Sequence, residues 1–460
     1  LKKVGDSQIF FKQHAMIGLP SMHVAKMTKP KHPFIHDLSI QGCLLRTSLW
    51  LAIIWHGTII RTLSAESPSA ISWTFETLPE AVCKHNKELA AAHWVIESAK
   101  ARSQQAGKLA NPRASTTSGI NTITSENMQG FSLQQSFPIT ARLRLEKKVA
   151  SLDIQQAEKE VQWMAHQKVM EAMEAATRWL ALRERQQILK EQITLAQELY
   201  ATLKEQQERG ERSQLDLSLA DMQIKGLELK QPALKSSIHS LENEMRSLLG
   251  QQAEEPFRLE ATWNPMAIPS ASPLDTANHP AFGVLHTEAS IHHAMVALEQ
   301  SRKWEDWTLG LSHQWSVDED IPFGLERNRR LGFQFSIPLP WWQKNLGAVA
   351  ASQANLKGAK ASIAALELQM ENEADSTMVR LIQGRAQYLM LRDELIPNRE
   401  KHQRSLEHAV RAGERPMESL IISMEGLLTL KLSLLEVIET FHLNHYRYLY
   451  LTQDLSRHHD

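Results

Sequence analysis

Residues 331–340, LGFQFSIPLP, run directly into a long helical segment, and this junction decides the fold. Apolar residues alternate there with glycine, glutamine, serine and proline, which is the period-two pattern of a strand with one apolar and one polar face. Residues 131–138, FSLQQSFP, stand two hundred positions earlier and also enter a long helical segment. The two junctions indicate two copies of one structural unit.

The composition excludes several classes of function. The 460 residues contain 51 Lys and Arg against 52 Asp and Glu, so the formal net charge of -1 gives no argument for nucleic-acid binding. The two cysteines, Cys43 and Cys83, predict neither a disulfide framework nor a cysteine metal site. No nucleophile, acid pair or phosphate-binding loop stands out, so the sequence argues against an enzyme and indicates no cofactor, catalytic residue or metal ligand.

The N-terminal region has the pattern of an export signal. Residues 44–65 contain Arg46, an apolar core, and the small residues Ser64 and Ala65, which are typical of a secretory signal peptide. The apolar core has about a dozen residues, fewer than the roughly 20 that a membrane-spanning helix needs. The alternative interpretation is a buried N-terminal helix. We interpret residues 1–43 as a disordered or artefactual extension.

The remaining chain divides into two repeats, 72–250 and 281–455, joined by the proline-rich connector 251–280. The first repeat predicts a helix over 77–109, a weak strand over 113–124, a strand over 131–137, a long helix over 139–209 and a helix over 213–249 with a kink at Pro232. The second predicts a helix over 281–305, a strand over 307–317, a hairpin loop over 318–324, a strand over 331–340, a long helix over 341–412 with a kink at Pro397, and a last helix to residue 455.

Both long helices end at the same short motif. Gly210 and Gly413 each begin a GER triplet, and they stand 203 positions apart, close to the 200 that separate the strand-to-helix junctions. Segment 139–209 contains no Pro or Gly, and its apolar residues keep the spacing of a coiled-coil seam. The fold class is therefore mainly α with a small β part, built from long antiparallel coiled-coil helices. Each long helix begins at a strand and ends at a glycine turn.

Four amphipathic strands in one chain cannot close a barrel, because an open sheet in lipid leaves unpaired backbone groups at its edges. Three chains of four strands would give twelve, an even number that encloses an aqueous lumen. The predicted lipid-facing residues are Trp307, Leu309, Leu311, Phe333, Phe335 and Ile337. The predicted lumen-facing residues are Ser312, Gln314, Gln334 and Ser336.

Residues 72–455 resemble the TolC-like outer-membrane efflux family, and within it the metal and multidrug efflux type. The resemblance is carried by the FSLQQSFP and FQFSIPLP junctions, by GERSQLDL, by ELIP in the second long helix, and by the Leu-Leu-Gly that ends the first repeat. It implies a homotrimer with a β-barrel in outer-membrane lipid and an α-barrel in the periplasm. It also implies two protein partners, a periplasmic membrane-fusion adaptor and an inner-membrane efflux pump, for which the chain is the passive exit duct.

Within this resemblance, the glycine turns would be the periplasmic tips on which adaptor hairpins dock. The docking candidates are Gly210, Ser213, Leu215 and Gly413. Ordinary helix termination, with Gly after the helix end and Ser as an N-cap, is the alternative explanation of the same residues. The second turn departs from the family pattern, because Pro416 replaces the capping residue and Ser419 and Ile422 stand where some members have acidic residues. An acidic gate there is in doubt, with Glu418 as a weak substitute.

Two further patterns have competing interpretations. His279, His286, His292 and His293 have no metal-ligand spacing, so we expect a solvated helix face. The Trp pairs 304 with 307 and 341 with 342 flank the third and fourth strands, as in an interfacial aromatic girdle, with core packing as the alternative. The competing function for the whole chain is a periplasmic coiled-coil scaffold or adaptor, which explains the helices but not the strand pairs.

Overall fold

The computed structural model describes residues 72–454 apart from 122–125, 254, 256, 261, 264, 265, 271, 272 and 321. All of these belong to one compact unit, 67–460. The predictions for segments 1–43 and 44–65 lie outside the described residues. Across the described residues, no helix combines the length and apolar character needed to cross a membrane.

The first half of the chain contains one very long helix between shorter ones. Its elements are β1 (Ser72–Trp73), α1 (Leu78–His85), α2 (Lys87–Ser103), β2 (Arg113–Ile120), β3 (Asn127–Phe137), α3 (Arg142–Glu208), α4 (Gln214–Glu228), α5 (Gln231–Leu248) and β4 (Arg258–Leu259). Helix α3 has 67 residues and is therefore about 100 Å long. The short strands β1 and β4 pair in parallel.

The second half repeats this order. Its elements are α6 (Pro280–Ser301), β5 (Trp307–Asp320), β6 (Gly324–Ser336), α7 (Leu346–Met390), a π-helical turn (Leu391–Leu395), α8 (Ile396–Arg411) and α9 (Met417–Thr452). The π-helical turn ends two residues before Pro397, where the sequence predicts a kink. Because proline removes a backbone donor and clashes with the preceding turn, an irregular turn at this place is expected.

Two helices of the first repeat are divided where the sequence predicts continuous ones. The predicted helix 77–109 is interrupted at Asn86, whose extended backbone separates α1 from α2. The predicted helix 213–249 is two helices, and Pro232 lies in the first turn of α5 instead of causing a kink within one helix. Proline is well placed there because the first-turn amide has no intrahelical acceptor.

The two strands of the second half extend farther into the hairpin than predicted, and the second of them ends earlier on the side of α7. The predicted loop 318–324 is wrong, because β5 continues to Asp320 and β6 begins at Gly324, which has a φ of +92°. Charged residues suggested a loop, yet Asp318 is held across the hairpin by the side-chain amide of Asn328 at 2.9 Å. Strand β6 ends at Ser336, so Ile337 lies one residue beyond the strand in which it was predicted.

Helix α7 begins at Leu346 and not at Trp341 as predicted. Asn345 adopts the left-handed conformation, with a φ of +55°, and its side-chain amide donates to the carboxylate and the backbone carbonyl of Glu299, both at 2.8 Å. Asparagine tolerates this conformation better than most residues. The segment between the sheet and α7 is therefore anchored to the end of α6.

Shorter helices line up along each long one. Helices α2, α4 and α5 all pack against α3, and α6 and α9 both pack against α7. Close packing along α3 comes from its alanines, since Ala172, Ala175, Ala176 and Ala181 are all buried. A second apolar cluster, which includes Leu199, Ile224 and Leu420, joins α3, α4 and α9 near the glycine turns. These contacts pack the helices of the two repeats side by side.

Candidate functional site: an open sheet and two helical tips

The four long strands form one antiparallel sheet in the order β2-β3-β5-β6. The central pair, β3 with β5, joins the two repeats through eleven consecutive residue pairs from Asn127 with Val317 to Phe137 with Trp307. Among the described residues, the outer edges of β2 and β6 pair with no other strand. The sheet therefore presents two rows of backbone donors and acceptors to a partner.

One face of this sheet is apolar in its half nearest the helices. Residues that are direct cross-strand partners project from the same face, and the register aligns Phe137 with Trp307, Leu309 with Phe335, and Leu133, Leu311 and Phe333 in one row. Phe333 is 84% exposed and Leu309 and Phe335 are more than half exposed. Five of the six residues predicted to face lipid thus share this face. Ile337 is the sixth, and it follows the strand.

The opposite face is polar and hydrogen-bonded across all four strands. All four residues predicted to face the lumen lie on it, Ser312, Gln314, Gln334 and Ser336. The side-chain amide of Gln134 donates to Gln334 at 3.2 Å, and Ser115 and Ser132 join their hydroxyls at 2.7 Å. A network of neutral polar groups suits contact with water. That this face lines a lumen stays a prediction.

Aromatic side chains mark the end of the sheet nearest the helices. Trp307 packs edge-to-face with Phe335 at a ring distance of 5.4 Å, and Trp341 and Trp342 form a second such pair at 5.9 Å. Trp342 is 90% exposed, and Trp304 and Trp341 are also exposed. These exposures disfavour core packing for three of the four tryptophans. They agree with a girdle at a membrane interface.

The opposite end of the long helices is formed by two equivalent turns. Gly210 and Gly413 have φ values of +76° and +81°. In each turn the glycine N–H and the following N–H donate back to the preceding helix, to Gln207 and Gln206 in the first and to Val410 and Ala409 in the second. This is the Schellman arrangement, which glycine favours because its αL conformation carries no Cβ penalty. The repeated GER motif therefore corresponds to a repeated backbone structure.

The predicted docking residues all lie at these two turns, which we call the tips (residues 207–216 and 410–419). Gly210, Ser213 and Gly413 are exposed, and the Leu215 side chain is 69% exposed. The Ser213 hydroxyl accepts from the Asp216 N–H at 3.2 Å and caps α4. At the second tip Pro416 occupies the N-cap position of α9 without a side-chain cap. The glycines and Ser213 thus act as ordinary helix ends and caps, while their role in adaptor docking stays a prediction.

Arg212 links the two tips through a contact that was not predicted from the sequence. Its guanidinium donates to the Val410 carbonyl of the second tip and to the side chain of Gln206, the residue just before the first tip. The GER motif contains this arginine in both repeats, but as a pattern it predicts helix ends and docking tips and not a contact between them. The link brings the two predicted docking surfaces of one chain together.

The histidine prediction is partly wrong. His286 and His293 are exposed on α6, but His279 is only 1% exposed and lies against fully buried His166, with ring centroids 5.0 Å apart. Both Nε2 atoms lie at hydrogen-bond distance from the same acceptor, the Tyr450 carbonyl, at 2.9 and 3.0 Å. Burial lowers the pKa of both imidazoles, that of His166 to about 4. In the described part of the chain, no three His, Cys, Asp or Glu side chains form a group suited to a metal ion.

Comparison with known proteins agrees with this architecture. Residues 78–251, which make up most of the first repeat, match the family model described as outer membrane efflux protein. No curated protein matches the chain significantly. The resemblance to TolC-like outer-membrane efflux proteins, inferred from the strand-to-helix junctions and the GER motifs, is confirmed.

Solved structures extend the similarity to both repeats. The outer membrane protein VceC from Vibrio cholerae has a TM-score of 0.65 at 15% identity, over 82% of this chain and 95% of VceC. CusC has a TM-score of 0.66 at 13% identity, over 82% of this chain and 92% of CusC. The CmeC outer membrane channel of Campylobacter jejuni has a TM-score of 0.63 at 13% identity, over 83% of this chain and 85% of CmeC. At identities this low, the structural similarity establishes only a shared fold, which is mainly helical with a small sheet.

Proposed function

We propose, with the resemblance to outer membrane efflux proteins as the premise, that this chain is one subunit of a trimeric exit duct in the outer membrane. Its sheet would contribute four strands to a twelve-stranded barrel in lipid, and its long helices would form an α-barrel in the periplasm. An inner-membrane pump and a periplasmic adaptor would deliver the substrate. The duct itself would be passive and would not be an enzyme.

The open sheet carries this proposal. A sheet with an exposed apolar face and two unpaired edges is an aggregation hazard in water, and proteins normally cover or shorten such edges. In the part of the chain that the structure describes, no further strand pairs with either edge, over strands of 8 and 13 residues. Lipid would cover the apolar face, and a sister subunit at each edge would pair the free backbone groups.

The strand directions support closure by identical copies. Successive neighbours in the order β2-β3-β5-β6 are all antiparallel, so β6 runs opposite to β2. The β6 edge of one subunit would therefore meet the β2 edge of the next in an antiparallel pair, and the alternation would continue unbroken around a ring. Antiparallel strands in even number are the rule for bacterial outer-membrane barrels.

Recording ion current across a planar lipid bilayer tests the duct directly. We expect stepwise conductance from the purified full-length protein, and a trimer band on SDS gels that disappears on heating. Protein that remains soluble after export, and never forms the heat-labile trimer, would instead favour the coiled-coil scaffold.

The tips are the proposed docking surface for the adaptor. Leu215 supports docking beyond helix termination, because an apolar side chain exposed beside a polar turn gains by burial in a partner. We expect L215Q to weaken adaptor capture in a pull-down while the trimer still forms. The matched control is L109Q, since Leu109 is also exposed but lies at the sheet end of the helices. Equal capture by both variants would place the adaptor elsewhere.

A further inference from the structure

Two arginines lie on the apolar face of the sheet, at its end farthest from the helices. The register pairs Arg329 with Trp315 and Arg327 with Val317, and both pairs project from the face that carries Leu309, Leu311 and Phe333. Arg330, the next residue in sequence, pairs with Gln314 on the polar face. Strand β6 thus places two guanidinium groups on the predicted lipid face and one on the predicted lumen face.

The two arginines are not satisfied within the subunit. Both are exposed, and among the described residues neither makes a side-chain hydrogen bond or an ion pair. The one acidic residue that follows on the same face is Glu319, which pairs with Leu325 one pair farther out. In the same row as Arg329, the Trp315 indole N–H donates to Gln129 at 2.9 Å. Arg329 thus lies beside an aromatic and an amide group, and Arg327 lies one row farther from the helices on the same face.

Their height along the strand matches the edge of a hydrocarbon layer. From Trp307 to Val317 the strand advances ten residues, about 33 Å along its own axis. At a tilt of roughly 40° this is about 25 Å along the membrane normal, the height of the apolar band of outer-membrane barrels. Arg327 would lie at that boundary, and Arg329 would lie about 5 Å below it, within reach of it for a long side chain.

We propose that Arg327 and Arg329 bind the phosphate group of anionic lipid headgroups at the outer boundary of the hydrocarbon layer. This inference rests on the proposed membrane barrel. Guanidinium groups match phosphate oxygens with two parallel N–H donors, and basic side chains near a membrane surface are attracted to anionic lipid. Trp315 beside them would fix the depth of the sheet in the interface. The site would thus anchor the barrel vertically and select phosphate-bearing lipid around it.

Native mass spectrometry of the detergent-solubilised full-length trimer tests this binding. The probes are dioleoyl phosphatidic acid, dioleoylglycerol with the same acyl chains but no phosphate, and inorganic phosphate alone. The variants are R327Q, R329Q and their combination, and R330Q is the matched control because it removes the same charge from the opposite face. We expect the double variant to lose roughly tenfold or more in affinity for phosphatidic acid, since each surface cation contributes to attraction. R330Q should bind as the parent does.

The outcomes separate the inference from the premise. Equal binding by R330Q and the double variant overturns the lipid site, and so does equal binding of phosphatidic acid and dioleoylglycerol. Saturation by inorganic phosphate at the same concentration as the lipid also overturns it, because a free anion site would then explain the data. If the parent protein forms no heat-labile trimer, the membrane barrel itself fails and the lipid site fails with it.

Discussion

Asn86 and His279 hold equivalent places in the two repeats. Each is the N-cap of a helix that leads to the sheet, Asn86 through its bond from the Leu89 N–H and His279 through its bond from the Ala281 N–H. Each side chain also lies at hydrogen-bond distance from a carbonyl at the end of the last helix of its own repeat, Asn86 to Leu248 at 2.9 Å and His279 to Tyr450 at 2.9 Å. Two different residues thus build the same joint, where two shorter helices meet end to end beside a long one.

The joint predicts an unusually large cost for a capping substitution. N86A removes the cap of α2 and also leaves the buried Leu248 carbonyl without its donor, so we expect a loss of about 2–4 kcal/mol in the free energy of unfolding. S213A is the control, since the exposed Ser213 hydroxyl bonds only to Asp216 in its own helix turn, and its loss should cost about 1 kcal/mol. Denaturant titration of the protein in detergent compares them. Equal costs would show that the Leu248 contact contributes nothing.

Gly250 lies at the same joint and predicts a second contrast. A Cβ at Gly250 would stand 2.2 Å from the His85 carbonyl oxygen, and the φ of +65° disfavours any side chain. At Gly210 the φ is similar, but a Cβ would meet nothing within 4 Å. We expect G210A to cost about 1–2 kcal/mol from the left-handed backbone alone, and G250A to cost about 1–3 kcal/mol more from the clash. The yield of heat-labile trimer at rising temperature compares the two costs. A larger loss in G210A than in G250A would contradict the close packing of Gly250 against His85 at the joint.

The buried histidines predict a loss of stability in acid. Burial is the main reason that the pKa of His166 falls to about 4, with the neighbouring His279 lowering it further and the Tyr450 carbonyl and Asp454 opposing the shift. In the unfolded chain the same imidazole protonates near its ordinary value of about 6.5. The unfolded state therefore binds more protons between these two values. The stability contributed by neutral His166, about 3 kcal/mol, is present above pH 6.5 and is lost as the pH falls toward 4.

Melting temperatures at pH 7.5, 5.5 and 4.5 test this window. The parent protein should lose stability at each step, and H166Q should begin lower at pH 7.5 but fall less. His279, His442 and His445 also have pKa values lowered by burial, so part of the slope will remain. H286Q is the control, because His286 is exposed on α6. A slope that is unchanged in H166Q would remove His166 from the explanation.

The two faces of the sheet predict opposite responses to one substitution. Phe333 lies four residue pairs from the Trp307 end, near the middle of the apolar band, and Gln334 follows it on the polar face. A lysine near the midplane of the lipid face costs about 2–4 kcal/mol, so F333K should sharply lower the yield of folded trimer in membranes. Q334K should form the trimer normally. In a water-soluble scaffold F333K should not lower the yield of folded protein below that of Q334K, because it would only replace an exposed apolar side chain by a charged one.

Much of this fold could be predicted from the sequence because the deciding patterns are local. Uninterrupted helix-forming residues over 139–209 predicted α3 to within three residues at each end, and the two glycine turns followed from Gly210 and Gly413. The two faces of the sheet followed from alternation alone, since residues on one face are fixed by the period of a strand. The family resemblance rested on the same junctions.

The missed features depend on contacts that are distant in sequence. Nothing near Asn86 breaks the helical pattern, and its side-chain amide donates to the carbonyl of Leu248, 162 positions away. His279 is buried by His166 and Tyr450 from other helices, so its own segment gave no sign of burial. The charged residues in the outer part of the hairpin predict a loop, but Asn328 donates to Asp318 across it. Polar strands and loops share a composition, and only the pairing distinguishes them.

Cross-linking across the open edges tests the central claim most directly. In a cysteine-free background, Thr117 on β2 is changed to cysteine together with one polar-face position of β6 at a time, from Glu326 to Ser336, and membranes are oxidised and run on non-reducing gels. If sister subunits complete the sheet, one register should give covalent dimers and trimers at the expense of monomer. Monomer alone at every register, in protein that is folded and exported, would contradict closure of the barrel by neighbouring chains.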